Sequence, residues 1–262
     1  MFERREVSGE LAGVRDEHAP DALVLDSDGD FETIPPSVAE NLLPIVDSID
    51  PLDYDESWVH ADAPETLHRI AGDEFTIGAP GDGGVAWTRQ TVPPTVFLKP
   101  RLEGSPEAFI DFLVAEAFVE IGLGLPEQFL GFFENEYRAL DDAVPLSSAD
   151  TYQLAVALFD AYVGLHSREV FEDWADDYPG LYDQWVDAGE RLEPRLTDLP
   201  SDIARGRTEF ADAAEFACSA LKHGLDLPTP FDALDTSAYR QHGAPYAVQW
   251  AEKTFEALTD TE

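Results

Sequence analysis

Helical signals follow one another almost without a break from residue 105 to the end of the sequence. Ser105, Pro106 and Glu107 form a helix start, with an N-cap serine, proline at the first helical position and an acid in the first turn. Apolar side chains then recur at helical spacing. We expect helices over about 105–122, 126–140, 147–165, 168–175, 179–197, 201–223 and 237–258, the last split near Gly243 and Pro245. Helices must therefore dominate the fold.

A short stretch before that region alternates like a β-sheet. Residues 74–78, 85–90 and 95–99 predict three strands, and the glycines at 81–84 predict a hairpin turn between the first two. The predicted fold class is α+β and predominantly α-helical. A small three-stranded antiparallel meander, at about 74–99, is followed by a helical bundle.

The residues before the meander also favour short helices. Apolar positions predict one helix over Val7–Val14, another near Val38–Ile45 and a third over Pro64–Ala71. We expect a single domain over 1–262, in which the helices and meander of 1–104 pack on the helical part, 105–262.

Charge limits the partners of this chain. Asp and Glu total 54 against 16 Lys and Arg, giving a net charge of −38, and only three of the cations are lysines. Such a surface disfavours nucleic acid and anionic membranes. Repulsion on this scale is tolerable where multimolar salt shortens the Debye length to about 3 Å. We expect a halophilic cytoplasmic protein of a haloarchaeon, since no apolar run could span a membrane and residues 1–10 lack a secretory core.

The first candidate site is a pair of acids on the helix after the meander. Glu116 and Glu120 are four residues apart and share a helix face, and apolar residues such as Phe112 and Val119 lie close to that face. Two shielded carboxylates could bind a divalent metal or perform acid–base chemistry. The alternative is the edge of a solvated acidic face.

A helix after a β-meander is also where zincin metalloproteases carry H-E-x-x-H, and residues 116–120 occupy that place. Here both histidine positions are glutamates, Glu116 and Glu120, and Ala117 replaces the catalytic glutamate. The resemblance implies a degenerate zincin-like or carboxylate- and metal-dependent hydrolase, without the proteolytic motif.

The second candidate site is a group of cations in an acidic protein. Arg89 shares a strand face with Trp87, and Lys99 shares one with Phe97. If the register brings those faces together, Arg89, Lys99 and the following Arg101 could bind a small anion beside Trp87. The alternative is that these cations only neutralise neighbouring acids.

Several segments resemble an uncharacterised protein family of haloarchaea. They are residues 94–101, residues 105–137 with Phe-Leu-Gly-Phe-Phe at 129–133, and Asp21–Asp26, and the likeness extends over most of the chain. The resemblance implies a domain of unknown function.

These observations favour a non-catalytic binding or interaction module over an enzyme. We expect no cofactor, no catalytic residues, and a protein partner or homo-oligomer. The hydrolase using Glu116 and Glu120, and the small-anion site at Arg89, Lys99 and Arg101, stay open as alternatives.

Overall fold

The structure, a computed structural model, describes residues 2–72, 75–78 and 83–259. Most of these residues are helical, and a small part forms β-strands. The helices are α1 Gly9–His18, α2 Pro36–Ala39, α3 Glu65–Ala71, α4 Glu107–Leu123, α5 Phe129–Phe133, α6 Glu136–Ala143, α7 Ser148–Asp177, α8 Pro179–Ala204, α9 Phe210–Leu221, α10 Ser237–His242 and α11 Ala244–Thr259. The strands are β1 Phe2–Arg4, β2 Leu23–Ser27, β3 Ser48–Ile49, β4 Val85–Thr88, β5 Thr91–Val92 and β6 Thr95–Leu98. The predominantly helical α+β class is confirmed.

The strand arrangement differs from the predicted antiparallel meander. Four strands form a mixed sheet in the order β1-β2-β6-β4, in which β2 and β6 are parallel and the other neighbours are antiparallel. A separate two-stranded sheet pairs β3 with β5. The predicted pairing of β4 with β6 is confirmed, but the meander is wrong because β2, from the N-terminal part of the chain, pairs with the other side of β6.

The meander prediction fails at its first strand, which was expected over residues 74–78. Its residues 75–78 are described and form no strand, although Ile77 accepts a backbone hydrogen bond from Ile34 at 3.1 Å. Glu74 and residues 81–82 of the predicted turn lie outside the described residues. The strand that does join the sheet, β2, has consecutive buried residues at Val24 and Leu25, so it lacks the alternation of a half-exposed strand.

Most helix predictions hold with changed boundaries. The break expected between 197 and 201 is wrong, because α8 continues to Ala204 and α9 begins at Phe210. Helices α1, α3 and α4 lie where they were expected, and Gly243 separates α10 from α11. The expected helix over 126–140 is two helices, because Glu134 has a φ of 49° and interrupts it. The two expected around 147–175 are one continuous helix, α7, and the expected helix near Val38–Ile45 is shortened to α2 and a 3₁₀ turn, Glu40–Leu42.

The chain divides into two compact units. The first unit comprises Met1–Asp53, Gly72–Glu127 and Asp173–Gln184, and the second comprises Tyr54–Ala71, Gln128–Glu172 and Trp185–Glu262. The four-stranded sheet and α4 therefore belong to the first unit.

The sheet of the first unit is covered on both faces. One face carries Leu25, Ala86 and Phe97, which pack in an apolar cluster with side chains of the N-terminal segment. The other face carries Trp87, directly opposite Val96 in the register, and meets α4, which also packs on α1.

The second unit is built around an apolar core of helices. Buried side chains of α5, α6, α7, α9, α10 and α11 contribute to it, including the fully buried Leu158 and Tyr239. The Tyr239 hydroxyl donates to the Leu158 carbonyl at 2.6 Å, so this buried polar group is satisfied. Across the described ranges, no helix is both long enough and apolar enough to span a bilayer.

Candidate functional site

Trp87 connects the end of β4 to α4 through a hydrogen bond. Its indole Nε1 donates to the Glu120 carboxylate at 2.6 Å. The guanidinium of Arg89 lies 5.4 Å from the centre of the Trp87 ring and donates to the carbonyl of Leu125. Trp87 and Arg89 thus form a layer with the end of α4, as expected from their shared strand face.

Glu127 is the centre of a second group of contacts. Its carboxylate accepts hydrogen bonds from Thr88 Oγ1 at 2.6 Å, from the Arg89 backbone N–H at 2.8 Å and from Gln90 Nε2 at 2.8 Å. The buried Gln90 amide also donates to the Thr76 carbonyl at 2.8 Å. Burial raises the pKa of Glu127, and the donors and Arg89 oppose this only in part. These contacts fix the end of β4 against the segment after α4.

The predicted acidic pair lies in two different environments. Glu116 is 8% exposed on α4, whereas Glu120 is half-buried and bonded to Trp87. Within the described part of the chain, no three His, Cys, Asp or Glu side chains come together in a way that could hold a metal ion. The sequence left open whether Glu116 is shielded from water, and the structure places it among the buried residues of α4.

The predicted cations do not share a sheet face. Because Trp87 pairs with Val96 and Ala86 with Phe97, Trp87 and Phe97 point to opposite faces. The buried Lys99 lies 5.2 Å from the centre of Phe31, a ring that contacts Phe97.

The third predicted cation is paired with an acid. Arg101 Nε donates to Asp30 at 2.6 Å in an ion pair. The structure therefore brings Arg89 and Trp87 together, and places Lys99 on the other face of the sheet.

The second unit contains a solvent-open cavity of about 350 Å³ that sequence reasoning missed. One wall is a stripe along α8, and the other is formed by α9 and the residues before it. The lining side chains are Arg195, Asp198, Leu199, Asp202, Thr208, Asp212 and Phe216. Four of the seven are charged, so the cavity is polar with an apolar floor.

Two of its aspartates already have partners. Asp202 forms an ion pair with Arg207, and Asp212 accepts a hydrogen bond from Gln153 Nε2 at 3.0 Å. The guanidinium of Arg195 lies 4.1 Å from the centre of the Phe216 ring. Among the residues that the structure describes, neither Arg195 nor Asp198 forms an ion pair.

The sequence contains a weak signal for this cavity. Arg195, Asp198, Leu199 and Asp202 follow the i, i+3, i+4, i+7 pattern of one helix face. In a chain with 54 acids, that pattern is indistinguishable from a solvated face until α9 is placed against it. Glu127 could not be singled out from the sequence, because no regular spacing relates its position to the residues of β4.

The fold and the candidate sites together define the class of this protein. It is a predominantly helical α+β protein with a small mixed sheet and a charged cavity between two helices. The chain belongs to a family of unknown function (DUF7089), whose family model matches residues 1–258. No curated protein and no solved structure matches it.

Proposed function

We propose that the protein is a non-catalytic module that binds a small molecule in the α8–α9 cavity, in the salt-rich cytoplasm of a haloarchaeon. The observation that carries this proposal is the cavity itself. Its volume of about 350 Å³ lies at the lower end of the range of ligand sites, which suits a compact ligand. A buried Leu199, an aromatic ring and charged groups line it, as in sites that bind the apolar and polar parts of one ligand.

The contacts of the first unit support a role other than catalysis. Glu120 and Glu127 are hydrogen-bond acceptors for Trp87, Thr88 and Gln90. A carboxylate that holds a strand end in place is engaged before any substrate arrives. These acids therefore serve to position β4.

The charge supports the proposed environment. A net charge of −38 with only three lysines destabilises a compact chain at low ionic strength, and concentrated salt screens that repulsion. We expect the free energy of unfolding to rise steeply as KCl is increased from about 0.2 M to about 3 M. Urea denaturation across that series measures it, and a stability independent of KCl would contradict the proposed environment.

Four probes that share an isopentyl group test the binding function: isopentanol (neutral), isopentylamine (cationic), isocaproate (anionic) and L-leucine (zwitterionic). Calorimetric titration of the full chain is performed in about 2 M KCl with each probe to about 10 mM, tenfold above a Kd of about 1 mM. We expect saturable binding of at least one probe.

A blocking variant locates the binding. Thr208→Phe places a ring in the cavity and is expected to abolish binding, whereas Thr197→Phe, on the exposed surface of α8, is the matched control and keeps it. Absence of binding by all four probes, or binding that Thr208→Phe leaves intact, would contradict the proposed function.

A further inference from the structure

We infer that the α8–α9 cavity selects a small zwitterion, with an ammonium group and a carboxylate on an apolar body, as in an α-amino acid with an apolar side chain. This inference rests on the proposed function and names its class of ligand. It follows from two unpaired opposite charges that line the same cavity.

Arg195 supplies the group for the ligand carboxylate. Its guanidinium is held against the ring of Phe216, 4.1 Å from the ring centre, and within the described ranges it forms no ion pair. Stacking on a ring uses the face of the guanidinium, while its N–H donors point outward from the edge. A planar carboxylate is the partner that this fork of donors matches best.

Asp198 supplies the group for the ligand ammonium. It lies one turn from Arg195 on the same helix and, in the part of the chain that is described, has no hydrogen bond or ion pair. Asp202 and Asp212 line the same cavity, but Arg207 and Gln153 already occupy acceptor positions on them. Asp198 is therefore the acid with its full capacity to accept hydrogen bonds.

The spacing of these two groups suits a ligand whose charges are close together. Side chains three residues apart on a helix have Cβ atoms about 5–6 Å apart. Arg195 packs on Phe216 and, in the described part of the chain, forms no ion pair with Asp198, so both charges are available to one ligand. A zwitterion with its ammonium and carboxylate on one carbon can contact both.

The apolar part of the ligand has a surface of its own. Leu199 is 6% exposed, and the partly buried Phe216 packs against the core of the second unit. A ligand body on this floor loses contact with water, which favours an apolar side chain.

The four probes distinguish the class of ligand. In about 2 M KCl, L-leucine is expected to bind at least about tenfold more tightly than isopentylamine or isocaproate, because each of these lacks one charged contact. Isopentanol is expected to bind weakest. If isopentylamine or isocaproate binds as tightly as L-leucine, the inference is overturned.

Substitutions test the two charges separately. Arg195→Gln and Asp198→Asn are each expected to raise the Kd for L-leucine at least about tenfold. Glu190→Gln, an exposed acid on α8 outside the cavity lining, is the matched control and should leave that Kd unchanged. All three positions are exposed, and urea denaturation verifies that each variant is folded. An L-leucine Kd that neither cavity variant changes would overturn the inference.

The outcomes separate this inference from the proposed function. Suppose that another probe binds at least as tightly as L-leucine and loses that binding in Thr208→Phe. This outcome supports a small-molecule binding module and overturns the inference that the ligand is a zwitterion. If no probe binds, both fail.

Discussion

The indole Nε1 of Trp87 and the carboxylate of Glu120 are joined by a hydrogen bond of 2.6 Å between residues 33 positions apart in the sequence. The bond connects β4 to α4, and the acceptor is a half-buried carboxylate. Hydrogen bonds to charged groups contribute more than those between neutral groups, so this contact is a specific anchor for the edge of the sheet.

Trp87→Phe removes the donor and keeps an aromatic ring. We expect it to lower the free energy of unfolding by about 1.5–3 kcal/mol, as measured by urea denaturation in concentrated KCl. Trp58→Phe, a half-buried tryptophan with no hydrogen bond through its indole among the described residues, is the matched control and should cost less. Equal losses in the two variants would show that ring volume, not the bond to Glu120, determines the effect.

Glu127→Gln tests the pH dependence of the second cluster. Because burial raises the pKa of Glu127 above its ordinary value of 4.5, the folded protein binds more protons there than the unfolded chain. Stability from this group is therefore lost as the pH rises from 4.5 through the raised pKa. The wild-type protein should exceed Glu127→Gln in stability by a margin that shrinks as the pH rises.

Urea denaturation from about pH 4.5 to about pH 8, at fixed KCl concentration, measures that margin. Glu103→Gln, an exposed acid outside the cluster, provides the baseline. A margin that grows with pH would mean that the three donors to Glu127 outweigh its burial, contrary to the expectation.

Local signals predicted most of the helices, though not their boundaries, and one strand pair. They failed where a distant partner decides the structure. Strands β4 and β6 are close in sequence, so their pairing followed from the pattern and the short connection. Strand β2 pairs with β6 in parallel, from beyond α1, and its buried Val24 and Leu25 give no alternation. No local sequence pattern specifies β6 as the partner of β2.

The candidate sites could be predicted only in part, because they depend on the register of the strands and on how distant helices pack. Trp87, Arg89 and Glu120 were singled out from the sequence, and the structure places them in one layer. Grouping Arg89 with Lys99 required Trp87 and Phe97 on one face, and a shift of one residue in register reverses that. The cavity depends on α9 lying against α8, which no spacing within either helix reveals.

Gly122→Ala tests the close packing of α4 on α1. A Cβ at Gly122 would lie 2.7 Å from the backbone oxygen of His18, which cannot move as a flexible side chain could. Alanine normally stabilises a helix by about 1 kcal/mol relative to glycine. We expect the clash to reverse the sign and to destabilise the protein by about 1–2 kcal/mol, measured by urea denaturation.

Gly29→Ala is the control for that substitution. A Cβ there would meet no atom within 4 Å, and the backbone φ is not positive, so stability should be maintained. Stabilisation by Gly122→Ala would show that the two helices separate at no cost.

The two ends of α7 test how salt offsets the charge of this protein. Asp176 and Asp177 lie in its last turn, which contains no basic residue and where the helix dipole repels negative charge. In about 0.2 M KCl, Asp176→Asn and Asp177→Asn together should stabilise the protein by about 0.6–2 kcal/mol. In about 3 M KCl the gain should nearly vanish, since the Debye length is already only about 3 Å at about 1 M salt.

Asp150→Asn makes the same chemical change in the first turn of α7, where a carboxylate is favourable and Asp150 accepts a hydrogen bond from Ser147 Oγ at 2.7 Å. This control should destabilise the protein at low salt, the opposite sign from the Asp176 and Asp177 pair. Urea denaturation at both salt concentrations measures all the variants. If neutralisation stabilises equally at both ends, net charge alone governs stability; if the Asp176 and Asp177 gain persists in about 3 M KCl, screening is not what makes this acidic chain stable.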